Sequence, residues 1–154
     1  MPYKTIISAE DLKNNIDNKD FIIFDSRCDI KDRGYGIDSY TEGHIPNSIF
    51  VDVDTDLASE KQQGTGRHPL PKVEIFCDKL SHWGMDNNKQ AVIYDDAGGA
   101  FAGRMWWMLK WLGHENVAVL DGGLNSWVKN GDKLVTSPTL FEKSYFVRAI
   151  DEDE

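Results

Sequence analysis

Residues 91–109 read AVIYDDAGGAFAGRMWWML. Ala91 to Tyr94 form a short apolar run of the kind that fills a strand buried on both faces, and the aromatic-rich stretch from Ala102 fits a helix. Between them stand Asp95, Asp96, Ala97, Gly98, Gly99 and Ala100. A buried strand that passes through a glycine turn into a helix is where an α/β protein seats a nucleophile or cradles an anion. Here the turn holds no Cys, Ser or Lys. Two carboxylates occupy the seat instead.

Outward from this unit, helix and strand signals alternate, which predicts an α/β domain with a mostly parallel sheet covered by helices on both faces. Ser8 followed by Asp11 resembles a capping box, and Leu12 and Ile16 give the next helix its buried stripe. Phe21 to Phe24, ending in Asp25, reads as a central strand, and Ser48 to Val51 as a weaker one. Residues 54 to 71 are polar and rich in Gly and Pro, the pattern of a long loop closed by Pro69 and Pro71. Val73, Phe76, Cys77, Leu80 and Trp83 recur at helical spacing before Gly84, which places Cys77 with the core stripe. Ala102 to Leu112 is a helix stopped by Gly113, Val117 to Leu120 the last clear strand, and Leu124 to Val128 a short final helix.

The 154 residues suit one domain with an ordinary core, and 40% hydrophobic content argues against disorder. Lys and Arg number 17 against 26 Asp and Glu, a formal charge of −9, and the basic residues are scattered singly. That excludes the footprint of a nucleic-acid binder. No apolar run approaches the roughly 20 residues of a membrane helix, and the N-terminus lacks the form of a secretory signal, so a cytoplasmic setting is expected. Cys28 and Cys77 form no CxxC pair, and His44, His68, His82 and His114 are dispersed. Neither a metal nor a cofactor is expected.

Two motifs flank the opening stretch. Tyr40-Thr-Glu-Gly43-His44-Ile45-Pro46-Asn-Ser leads into a strand, and Asp121-Gly122-Gly123-Leu-Asn-Ser-Trp127 follows the last one. In this order around a strand, turn and helix, they resemble the rhodanese family of sulfurtransferase domains over nearly the whole chain. The resemblance implies a three-layer α/β/α domain. It is similar in particular to the N-terminal half of two-domain sulfurtransferases that act on thiosulfate or 3-mercaptopyruvate. Those halves share a long insertion ending as His68 to Pro71 does here, a tryptophan pair like Trp106 and Trp107, and Leu-Gly-His as at Leu112 to His114. They also carry Asp where active rhodanese domains carry the cysteine, and Asp95 takes that position.

Rhodanese chemistry needs a thiolate that attacks a sulfane sulfur and holds it as a persulfide, so the nucleophile must be sulfur. A carboxylate cannot store that sulfur, although the backbone N–H groups that would stabilise a thiolate suit it equally well. No catalytic residue is therefore expected in this chain, and Asp95 to Ala100 form a degenerate active-site loop. The resemblance implies that the catalytic cysteine lies in a C-terminal rhodanese domain of the same parent chain, the partner expected here. Residues 1–148 would be the rhodanese-like domain, Tyr145 to Arg148 a strand-like lead, and residues 149–154 the start of an interdomain linker. The rival expectation is a complete single-domain inactive rhodanese that serves as a binding or regulatory module.

The remaining candidates carry modest chemistry. Cys28 lies just past a strand end beside Arg27, which could favour its thiolate, so it is a possible minor thiol site. Asp25 and Arg27 suit a structural ion pair, and His44 an orienting hydrogen bond in the turn before Pro46. Asp121, Gly122 and Gly123 suit a strand-to-helix turn with positive φ. At least two of Trp106, Trp107 and Trp111 belong in the core, and the third is free to meet a partner domain. His68 is expected to face solvent. A dehalogenase-type phosphatase fails because its second Asp would fall on Ala97. A P-loop fails because Arg104, rather than Lys followed by Ser or Thr, follows the glycines.

Overall fold

The computed structural model describes residues 3–58 and 70–147. Five strands, β1 (Ile6–Ile7), β2 (Phe21–Asp25), β3 (Ser48–Phe50), β4 (Gln90–Tyr94) and β5 (Val117–Leu120), form one sheet in the order β1-β5-β4-β2-β3. Every pairing is parallel, and Asp25 stands opposite Tyr94 at the carboxyl end of the central pair. The connections hold α1 (Ala9–Asn14), α2 (Tyr35–Glu42), α3 (Val73–His82), α4 (Ala102–Trp111) and α5 (Gly123–Lys129).

Continuous apolar strands arise because helices cover both faces of the sheet. Alternate residues Ile22, Phe24, Ala91, Ile93 and Val117 enter one core with Phe76, Leu80, Met105, Met108 and Leu109 of α3 and α4. Their neighbours Ile23, Val92, Tyr94, Ala118 and Leu120 enter a second core with Leu12 of α1 and Trp127 of α5. Cys77 is half-buried against the first core. The expected mostly parallel α/β architecture is the one observed.

Several local expectations need correction. The Ser8 side chain does accept from the Asp11 N–H at 3.1 Å, but Asp11 does not return the bond. Its carboxylate accepts from the Tyr3 hydroxyl at 3.2 Å, so half of the capping box forms. Ile16 lies beyond the end of α1 and packs on the second core from the following turn. The strand β1 and the helix α2 carry too little periodicity to be anticipated. Residues 145–147 form no strand: Phe146 turns into the first core at 3% exposure, and its N–H donates to Ser81 Oγ at 3.0 Å. Apolar burial and a side-chain acceptor replace the strand ladder there. His68, Pro69 and the expected linker 149–154 lie outside the described residues.

Residues 131–147 form a strap across the amino end and the β3 edge of the sheet. Val135 exchanges two backbone hydrogen bonds with His44, at 2.8 and 2.9 Å. Thr139 Oγ1 donates to the Ser48 carbonyl at 2.6 Å, as does the Tyr40 hydroxyl at 2.7 Å. An edge strand exposes unpaired backbone groups, and these contacts cover one of them.

Candidate functional site

In the strand order, β2 connects onward to β3 on one side, whereas β4 connects to β5 on the other. The loops leaving β2 and β4 thus part company at their carboxyl ends, and the crevice at such a divergence is where open α/β sheets bind ligands. Asp25 and Asp95 are the residues the two strands deliver to that point.

Asp95 is 1% exposed. One of its oxygens accepts the N–H groups of Ala97 and Gly99, both at 3.0 Å, and the other those of Phe101 and Ala102, at 2.9 and 2.8 Å. Gly98 and Gly99 adopt φ of 72° and 93°, which turns successive amides inward where a side chain would be strained. Phe101 and Ala102 open α4, so their amides belong to the positive end of the helix dipole. From behind, the Leu124 N–H donates to the Asp95 carbonyl at 2.9 Å. Gly122 and Gly123 have φ of 77° and 62°, as the sequence pattern anticipates. A Cβ on Gly123 would come within 2.6 Å of that same carbonyl oxygen. The Asp121-Gly-Gly motif and the loop are therefore one unit.

Asp96 and the exposed Ala97, Gly98 and Ala100 form the outer face of the turn. The Tyr35 hydroxyl of α2 donates to the Asp96 carboxylate, a bond that spans the crevice from the β2 side to the β4 side. That hydrogen bond, with burial, raises the pKa of Tyr35 above the ordinary phenol range. Nothing in the sequence marks Tyr35 for this role, because the helix that positions it has no clear apolar stripe.

Asp25 and Arg27 form a buried, forked ion pair. Arg27 Nε lies 3.1 and 3.0 Å from the two Asp25 oxygens, Nη2 lies 2.7 Å from one of them, and Nη2 also donates to the Gly43 carbonyl at 2.7 Å. Burial works to lower the pKa of Arg27, but Asp25 outweighs it and the net direction is up. The Tyr94 hydroxyl donates to Asp25 at 2.9 Å, and burial with the Asp25 charge raises its pKa well above normal. Through Tyr94 the network reaches the Ile45 N–H at 3.2 Å and Ser48 Oγ at 3.0 Å. It ties β2, β4 and the Gly43 to Ser48 turn together.

This pairing overturns the expectation that Arg27 favours a Cys28 thiolate. The guanidinium is engaged by Asp25. Cys28 is half-buried, and burial followed by the charges of Asp54, Asp52 and Asp29 pushes its thiol up to about 11.

His44 is fully buried, donates from Nδ1 to the Tyr40 carbonyl at 2.8 Å, and stacks on the Tyr40 ring at 3.8 Å. Arg104 Nε and Nη2 donate to the Leu57 carbonyl at 3.0 and 2.8 Å, anchoring the chain after β3 to α4, and burial lowers its pKa. Trp106 and Trp111 pack partly on the first core, whereas Trp107 is exposed and stacks on Trp111. A cavity of about 520 Å³ lies away from this edge, between the start of β2 and the strap residues Thr139 to Glu142. Among the described residues, no group of three or more His, Cys, Asp and Glu is placed to hold a metal ion. None of their helices is long and apolar enough to cross a membrane.

A parallel α/β domain with a glycine-built reactive-type loop at its switch point, locked by a following Asp-Gly-Gly turn, is a rhodanese-like architecture. The chain belongs to the rhodanese-like domain family, whose sequence model matches residues 8–130. It is 41% identical over 128 residues to a Pseudomonas aeruginosa protein named "Probable 3-mercaptopyruvate sulfurtransferase", covering 82% of this chain and 45% of that one. It is 32% identical over 150 residues to thiosulfate/3-mercaptopyruvate sulfurtransferase 2 of Arabidopsis thaliana, covering 95% of this chain and 43% of the relative. Among solved structures, the 3-mercaptopyruvate sulfurtransferase from Leishmania major superposes with a TM-score of 0.84 at 28% identity, over 95% of this chain and 41% of that one. The chain thus spans less than half the length of these relatives.

Proposed function

We propose that this domain is the non-catalytic rhodanese unit of a longer sulfurtransferase that uses thiosulfate or 3-mercaptopyruvate. In this proposal it supplies scaffold and one wall of the cleft in which a companion catalytic rhodanese domain of the same polypeptide works. Residues 149–154 would lead toward that companion.

The observation that carries the proposal is the seat of Asp95. The loop keeps the amide geometry suited to a sulfur anion and fills it with a carboxylate. Sulfane transfer needs a sulfur nucleophile that can hold the transferred atom through an S–S bond. A carboxylate offers no such bond. The two thiols present do not replace it: Cys28 has its pKa raised to about 11, and Cys77 lies on α3 against the core.

The test is a thiocyanate assay on this 154-residue chain with thiosulfate or 3-mercaptopyruvate as donor and cyanide as acceptor. No turnover above the uncatalysed rate is expected. Robust turnover that survives both Cys28→Ala and Cys77→Ala would overturn the proposal.

A further inference from the structure

We propose that residues 28–39, the loop after β2 and the first turn of α2, form a flap over the crevice, and that the hydrogen bond from Tyr35 to Asp96 is the clip that holds it shut. The two ends of α2 are fastened in different ways. Toward the C-terminal end, the Tyr40 hydroxyl donates to the Ser48 carbonyl at 2.7 Å, while its ring stacks on His44 at 3.8 Å and meets Phe50 at 5.8 Å. His44 is tied in turn to Val135 by paired backbone bonds. That end is the pivot.

The other end is lightly held. Asp29 to Arg33 are exposed, Ile30 among them at 51%. The loop folds on itself: the Asp32 N–H donates to the Asp29 carbonyl at 3.2 Å, and the Tyr35 N–H to the Asp32 carbonyl at 3.1 Å. Arg33 reaches Asp54 at 3.9 Å from a side chain that is 80% exposed, and such a pair contributes little in water. Gly36 is buried against the exit of β2, but a glycine has no side chain to bury there. Across the crevice, what joins this end to the β4 side is the Tyr35 hydroxyl on the Asp96 carboxylate. A carboxylate acceptor makes this one of the stronger classes of hydrogen bond. The Ser39 side chain, one turn further along α2, hydrogen-bonds the same phenol and steadies its direction.

A segment with few buried apolar contacts, exposed backbone bonds and one strong tether opens as a unit, well below the free energy of global unfolding. Opening does not strand the carboxylate, because the Arg27 charge already acts on Asp96 from the β2 side. The flap thus has two states, clip made and clip broken, and they differ in how wide the crevice stands. One consequence rests on the sulfurtransferase proposal: the flap sets the shape of the wall that the companion domain meets. The flap itself does not depend on that reading.

The experiment is amide hydrogen exchange of the folded 154-residue chain, followed by NMR with and without urea below the unfolding transition. Wild type is compared with Tyr35→Phe, Asp96→Ala and the double variant. The Tyr35 and Asp38 amides report on the flap, those of Gly43 and His44 on the pivot, and those of Val92 and Ile93 on the core. In wild type the flap amides should exchange through an opening that urea leaves unchanged, whereas the core amides should follow global unfolding. Each single variant should lower flap protection at least about fivefold and leave pivot and core within about twofold. The double variant should match the faster single one. A smaller loss at the flap, an equal loss at pivot and core, a second loss of the same size in the double variant, or wild-type flap amides that track global unfolding would each overturn the proposal. So would a Tyr35→Phe chain that does not fold, because removing one hydroxyl from a local clip leaves the fold intact. If Asp96→Ala does not fold, Tyr35→Phe carries the test alone. The thiocyanate assay is unaffected by any of these results, so the two proposals fail separately.

Discussion

A neighbour in sequence need not be a neighbour in field, and Arg27 beside Cys28 demonstrates it. Arg27 precedes Cys28 by one position, yet the guanidinium turns back to fork onto Asp25, while burial of the thiol and then the charges of Asp54, Asp52 and Asp29 raise its pKa. The sulfur is thus held protonated. Thiol alkylation runs through the thiolate, so at pH 8 a thiol with pKa near 11 should react on the order of 100-fold more slowly than an ordinary cysteine of pKa about 8.5. In a Cys77→Ser background, the iodoacetamide rate should keep climbing tenfold per pH unit through pH 10. A rate that levels off near pH 8.5 contradicts the assigned environment. Position 95 was more legible than position 28 because its partners are local: a glycine turn after a strand points its amides back at the strand end whatever surrounds it. Two of the charges that face Cys28, Asp54 and Asp52, come from the loop after β3, and sequence reading had no means to place that loop.

At the scale of elements, legibility followed burial. The strands β2, β4 and β5 each lie between two neighbours in the sheet, and α3 and α4 lay their apolar stripes on the first core, so their apolar pattern was dense enough to read. The helix α2 shows the opposite. Its sequence YGIDSYTE buries one residue, Gly36, and leaves Ile37 45% exposed. Its place is set by a close approach rather than by an apolar stripe: a Cβ on Gly36 would lie 2.3 Å from the Arg27 carbonyl oxygen and 3.0 Å from the Phe50 ring. The backbone oxygen cannot yield without moving the exit of β2. Gly36→Ala, normally favourable in a helix, should here cost about 1–3 kcal/mol in urea denaturation. It should also loosen the Tyr35 to Asp96 contact, because Tyr35 is the preceding residue of the same helix. A neutral or stabilising Gly36→Ala would show that α2 is not seated against β2 in this way.

For the whole molecule, the question is where the folding unit ends. The family match stops at residue 130, whereas the structure carries the core onward through the strap. Phe146 is 3% exposed, sits in the first core, and meets His114 edge-on at a ring separation of 5.7 Å. Its backbone N–H is taken by Ser81 Oγ, the Ser144 N–H donates to the Ser81 carbonyl at 2.8 Å, and the Val147 N–H reaches Asn87 Oδ1 at 3.1 Å. Leu140 of the same strap is 93% exposed and makes a natural control. Sequence reading took Tyr145 to Arg148 as a strand-like lead into an interdomain linker, because the short run Tyr145-Phe146-Val147 looks like a strand and does not show that Phe146 folds back onto the core. What holds residues 144–147 is one anchored side chain plus hydrogen bonds to Ser81 of α3 and Asn87 of the turn before β4. Deleting a buried phenyl ring costs about 3–5 kcal/mol, whereas an exposed Leu truncation falls within about 0.5 kcal/mol. Phe146→Ala should therefore lower the urea midpoint of the chain strongly while Leu140→Ala leaves it in place. Equal, small effects at both positions would mean that the strap rides on the domain without belonging to its core, and that the folding unit closes near the end of α5.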